Sequence, residues 1–92
     1  MIASFRSRAL KRFWERNDAR RLPPQDVTRI RRIPWSLDQA TEPQDLDIPG
    51  YHFHRLTGNL QGRYAVTVRG NWRITFAWDG GNAIEVNFED YH

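Results

Sequence analysis

RYAVTVRGNWRITFAWDGGNAIEVNF, residues 63–88, decides the fold. Residues 63–69 alternate with Tyr64, Val66 and Val68 on one face, and Gly70-Asn71 is a two-residue hairpin signal. In residues 72–78, Trp72, Ile74, Phe76 and Trp78 then share one face and Arg73, Thr75 and Ala77 the other, the period-2 pattern of a half-buried antiparallel strand. Asp79-Gly80-Gly81-Asn82 turns the chain again. Residues 83–88 repeat the alternation with Ile84, Val86 and Phe88, leaving Glu85 and Asn87 opposite.

Upstream, residues 51–57 (YHFHRLT) also alternate and reach this meander through the GNLQG turn. Before them lies DQATEPQDLDIPG, residues 38–50, an acidic loop with two prolines and room for one helical turn. The N-terminal part reads as helical. After a short strand at residues 2–5 (IASF), Ser7 is placed to cap a helix whose Leu10, Phe13 and Trp14 recur at three- and four-residue spacing. Asn17-Asp18 ends it. A second helix follows the Leu22-Pro23-Pro24 turn, with Val27, Ile30, Ile33 and Leu37 inward and Arg29, Arg31 and Arg32 outward. Pro34 falls inside that pattern and is expected to kink or divide the helix near Ile33. Two helices followed by hairpins with one apolar face imply an α+β layer, its other sheet face wet.

With 92 residues and no cysteine, the chain is expected to be a single domain, 1–92, held by packing alone. A domain of this size buries about 60 to 65% of its unfolded surface, so chemistry belongs in a shallow groove or on an edge. Twelve aromatics, four of them Trp, argue against disorder. No stretch approaches a membrane span, the N-terminus lacks an apolar signal core, and the expected location is the cytoplasm.

Charge is distributed in blocks. Residues 1–36 carry nine Arg and one Lys against three acids, residues 37–50 four acids, residues 51–78 four Arg, and residues 79–92 four acids. Thirteen of the fourteen basic residues are Arg, whose planar fork suits phosphate and stacks on bases. Arg6, Arg8, Lys11 and Arg12 on the first helix, Arg29 and Arg32 on the second, and Arg55 beside the hairpins are the expected RNA-contacting set, with a solvated helix face as the plain alternative.

Three histidines matter for chemistry. His52 and His54 share a face of one strand, and with His92 or Asp90 this spacing could ligate zinc, although a solvated histidine is the simpler reading. The closing Asp90-Tyr91-His92 concentrates proton-transfer groups. Metal-free RNA cleavage needs a base near the 2′-hydroxyl, an acid near the 5′-oxygen and a cation for the phosphorane charge. His54, Asp90, His92 and Arg73 supply such a set, but a flat four-strand meander separates its outer strands by about 14 Å, so the set requires a strongly curled sheet.

The opening MIASF, the segment LDQATEPQDLDIPG, the run LTGNLQGRYAVTVRGNWRITF and the closing EDYH together resemble HigB-type toxins of bacterial toxin–antitoxin systems, within the RelE/ParE superfamily. The resemblance spans essentially the whole chain. It implies a curled, mainly antiparallel sheet on two N-terminal helices, entry into the ribosomal A site, and mRNA cleavage by the RNA 2′-hydroxyl to leave a cyclic phosphate, with no metal and no cofactor. It further implies a helix-turn-helix antitoxin as partner. His54, Asp90, Tyr91 and His92 match residues linked to cleavage, and Arg73 matches the arginine of the NWR motif. In these roles His92 or Asp90 takes the 2′-hydroxyl proton, His54 acts as acid or orients the phosphate, Arg73 neutralises charge and Tyr91 positions a base.

Thr57 stands where some members have a lysine, which removes one cation from the expected set. For Arg73 the alternative role is a cross-strand ion pair, with Glu85 the candidate. Two rival functions remain: gyrase inhibition of the ParE type, and ribosome or RNA binding without cleavage. His54 and the terminal Asp90-Tyr91-His92 favour the nuclease.

Overall fold

A computed structural model of the protein describes residues 1–90. Helix α1 spans Arg8–Arg16 and α2 Val27–Gln39; the strands are β1 (His54–Arg55), β2 (Arg63–Arg69), β3 (Trp72–Asp79) and β4 (Asn82–Asp90). The strands form one antiparallel sheet in chain order, curled and packed on the helices, so the fold is α+β as expected.

Ser7 caps α1 as anticipated, its hydroxyl accepting from the Leu10 N–H at 3.1 Å. Asn17 ends the helix in the left-handed region at φ 56°, its N–H bonding the Phe13 carbonyl at 2.9 Å. The Asn17 side chain then accepts from Arg31 at 2.7 Å, and the Arg31 guanidinium lies 4.9 Å from the Phe13 ring centre, tying α2 to α1. Leu10 and Phe13 are buried, but Trp14 is 36% exposed and does not join the core.

Pro34 does not divide α2. The helix runs unbroken through it because Ile30, Ile33 and Leu37 are all fully buried, and that packing outweighs one missing backbone bond. The acidic loop contains a single helical turn at Pro43–Leu46.

The sheet departs from the sequence reading at three places. Regular pairing in residues 51–57 shrinks to His54–Arg55, because His52 takes a left-handed φ of 51° and interrupts the extended run. Residues 2–5 pair in parallel with the outer edge of β4, through bridges Ile2–Ala83 and Phe5–Val86. Finally, Thr75 pairs with Asn87 but Ala77 with Ile84, so one extra residue is accommodated at Glu85, which sits at φ 51°. This bulge shifts the phase of β4. Ala83, rather than Ile84, is fully buried beside Val86. Its backbone is secured from outside the hairpin: the Glu85 N–H donates to the Ser4 hydroxyl at 2.9 Å.

The helix-facing side of the sheet is apolar. Val66, Ile74, Phe76, Ala83 and Val86 meet Leu10, Ile30, Ile33 and Leu37 in the core. Phe53, Tyr64 and Phe76 stack at 5.7 and 5.5 Å between ring centres, extending this layer across β2 and β3.

Candidate functional site

Cross-strand pairing sorts the polar side chains into rows, because antiparallel partners share a face. One row runs His54–Ala65–Thr75–Asn87 and the next Thr67–Arg73–Glu89. His54 and Arg73 therefore lie on the same face, opposite the helices. In a flat sheet, two strands across and two residues along amounts to about 12 Å between their backbones. Curl and side-chain length shorten the gap at the tips.

The expected wet face is dry at its centre. Thr75 and Ala65 are fully buried, and Arg63 is only 8% exposed. Small residues at Ala65 and Ala77 let the face close, and bulges between Thr67 and Arg69 and at Glu85 bend the strands toward it. Arg63 spans the concavity: one amino group donates to the Thr75 hydroxyl at 3.1 Å and to the Glu85 carbonyl at 2.8 Å. The other lies 3.7 Å from the Glu85 carboxylate. Thr75 in turn donates to the Glu89 carboxylate. Burial lowers the Arg63 pKa from its ordinary value, as does the nearby Arg6 charge; Glu89 and Glu85 act in the opposite direction.

His54 is exposed on this face, and its Nδ1 lies 2.9 Å from the His52 carbonyl. A carbonyl only accepts, so Nδ1 carries the hydrogen and Nε2 is left as the nitrogen at which the ring can gain or lose a proton. The left-handed turn at His52 thus sets the tautomer of His54.

Arg73 folds back to donate to the Gly70 carbonyl at 2.5 Å, and its buried Nε has no partner among the described residues. Its expected alternative partner, Glu85, instead pairs with Arg6 at 3.4 Å and Arg63 at 3.7 Å. Asp90 is exposed at the end of β4 in register with Trp72, so strand pairing puts it on the Trp72 and Phe88 face and not on the face that His54 and Arg73 share. Tyr91 and His92 lie outside the described residues.

The remaining basic residues divide by role. Arg8, Lys11 and Arg12 line a shallow depression along α1 with Glu15 and Arg16, and Arg32 is exposed on α2. Arg29, expected to face solvent, is half-buried: it donates to the Thr67 carbonyl at 3.1 and 3.2 Å and to the Gly50 carbonyl, and lies 5.1 Å from the Tyr51 ring centre. Its guanidinium stitches α2 to the sheet. Arg55 sits 5.9 Å from the Tyr64 ring centre and lines an open cleft of about 550 Å³ with Thr57, Gln61 and Arg63. Arg55 and Thr57 thus line the same cleft, although regular strand ends at Arg55. Among the described residues, no group of three His, Asp or Glu is placed to hold a metal ion.

The sequence placed Thr75 on the wet face without a role, and Arg63 and Glu89 were passed over. Their signal was the interleaving of Ala65 and Ala77 with polar residues, which marks a concave face better than an open one.

Two helices on a curled antiparallel sheet whose far side presents imidazole and guanidinium define a RelE-like α+β protein. The family model for the RelE-like toxin HigB of type II toxin–antitoxin systems matches residues 3–92. The chain belongs to this family of HigB-like toxins. It is 42% identical over 92 residues to an endoribonuclease HigB of Proteus vulgaris, covering all of both chains. It is also 31% identical over 93 residues to toxin HigB-1 of Vibrio cholerae serotype O1, covering 99% of this chain and 98% of that one.

Proposed function

We propose that this toxin is a metal-independent endoribonuclease that cleaves mRNA on the translating ribosome and so inhibits translation. The observation that carries the reading is His54, an exposed imidazole with a fixed tautomer on the same sheet face as the incompletely bonded Arg73. Full-length similarity to a relative named as an endoribonuclease supports the same chemistry.

The RNA supplies its own nucleophile. A base, Asp90 or His92, takes the 2′-hydroxyl proton, and the 2′-oxygen attacks the adjacent phosphorus. His54 acts as the imidazolium: with Nδ1–H held by the His52 carbonyl, a proton on Nε2 is the one passed to the departing 5′-oxygen or used to orient the phosphate. The products are a 2′,3′-cyclic phosphate and a 5′-hydroxyl, and Arg73 stabilises the charge that builds on the phosphorane oxygens. Tyr91 stacks on or positions a base. Arg8, Lys11, Arg12 and Arg32, together with Arg55, contact RNA phosphates; Arg6 and Arg29 contribute what their structural bonds leave over. With Thr57 in place of the lysine of some relatives, Arg55 and the largely buried Arg63 are the cations that line that cleft.

The toxin acts in the cytoplasm at the ribosomal A site, and an antitoxin with a helix-turn-helix DNA-binding fold holds it inactive. No helix among the described residues is long and apolar enough to cross a membrane. Primer extension on a translated message tests the reading. Codon-aligned 5′ ends after induction are expected. Arrested growth with intact message removes it, and trapped gyrase–DNA complexes would replace it with the gyrase mechanism.

A further inference from the structure

Glu89 stands directly opposite Arg73 in the β3–β4 register, the position from which a carboxylate ordinarily pairs with a guanidinium across a ladder. Among the described residues no such pair forms. The Glu89 carboxylate instead accepts from the Thr75 hydroxyl, one row inward, while Arg73 turns one amino group to the Gly70 and Trp72 carbonyls, keeps a buried Nε without a partner, and, Asp90 aside, meets no carboxylate among the described residues. Thr75 can donate in that direction because its oxygen is already accepting from Arg63 at 3.1 Å, a directional chain of charged donor, hydroxyl and carboxylate. Arg63 also attracts Glu89 through charge.

We propose that Thr75 is a positioning residue for RNA cleavage: backed by Arg63, its hydroxyl draws the Glu89 carboxylate away from Arg73 and leaves that guanidinium available to the scissile phosphate. This rests on the nuclease reading above. The burial of the cluster is what makes the diversion effective. Thr75 is fully buried and Arg63 nearly so, and hydrogen bonds to ionised groups strengthen where water is excluded. Loss of the hydroxyl frees the Glu89 side chain to swing back to its own row and neutralise Arg73.

This arrangement has a signature that a purely structural role lacks. Thr75→Val keeps the β-branched shape but removes the relay, and cleavage at saturating message is expected to fall about tenfold or more, since one lost donor to a developing oxyanion costs about 10² to 10³ in rate. Thr75→Ser keeps the hydroxyl while losing a buried methyl, so it is expected to be less stable than Thr75→Val yet to retain most of the cleavage rate. Adding Glu89→Gln to Thr75→Val removes the competing charge and is expected to recover cleavage.

Thermal melts and circular dichroism establish that each variant is folded before rates are compared. A folded Thr75→Val protein that cleaves within about twofold of the unsubstituted chain overturns the inference, and so does an impaired one that Glu89→Gln fails to recover. An unsubstituted chain that arrests growth with intact message removes the nuclease reading and this inference with it, an outcome distinct from cleavage that is merely indifferent to Thr75.

Discussion

The two faces of β3 obey different rules. Trp72, Ile74, Phe76 and Trp78 face the helices, and burial of Ile74 and Phe76 there is the ordinary consequence of apolar area leaving water. Arg73, Thr75 and Ala77 line the other face, where curl buries Thr75 just as completely but among charged partners. One face contributes cohesion. The other places cations and hydrogen-bond donors at fixed positions, at a desolvation cost that a small core has to offset.

Substitutions on the two faces should separate stability from activity. The largest effect is expected for Phe76→Ala, which empties the centre of the aromatic layer and costs about 3 to 5 kcal/mol of folding stability by denaturant titration. Arg73→Ala on the opposite face is expected to lower cleavage about 10² to 10³-fold while leaving the denaturation midpoint near that of the unsubstituted chain. A collapse of stability there would merge the two faces into one. Ala65→Leu sharpens the contrast, because the polar face needs a small residue where it closes; overpacking is expected to cost about 1 to 3 kcal/mol.

Two smaller effects lie away from the sheet and calibrate it. Ser7→Ala should lower stability by about 1 kcal/mol through loss of the α1 cap, with cleavage per folded molecule unchanged. Asp45 is held below its ordinary pKa of 3.8 by backbone N–H donors from Thr41 and Glu42 and by the Thr41 hydroxyl. Its folded pKa is depressed, so its contribution is present above pH 3.8 and lost as pH falls below that value. Asp45→Asn should therefore lower stability slightly at neutral pH and flatten the acid limb of a melting profile, the two proteins converging as pH falls below 3.8.

The apolar face was legible in the sequence because alternation and burial coincide there: Ile74 and Phe76 lie where period-2 spacing put them. Ser7 as a cap and the Gly70-Asn71 turn were legible for the same local reason. The bulge at Glu85 was not, because its extra residue is accommodated by the Ser4 hydroxyl, eighty-one positions away in the chain. Nor was the packing role of Arg29, since helical periodicity assigns a direction but not the carbonyls of Gly50 and Thr67 that a long side chain reaches. At the candidate site, His54 and Arg73 were identified by residue type and family resemblance, whereas their common face follows from strand pairing. The Arg63–Thr75–Glu89 chain needed three dimensions, because alternation alone assigns Thr75 to solvent.

The central claim is that the RNA attacks itself with its own 2′-hydroxyl under the direction of this face. A message carrying a single 2′-deoxynucleotide on the 5′ side of a mapped cleavage position, translated in the presence of the toxin, tests it most directly. Cutting at that position should disappear while neighbouring sites are still cleaved. Undiminished cutting at the deoxy position would show that the nucleophile comes from elsewhere and would contradict the account.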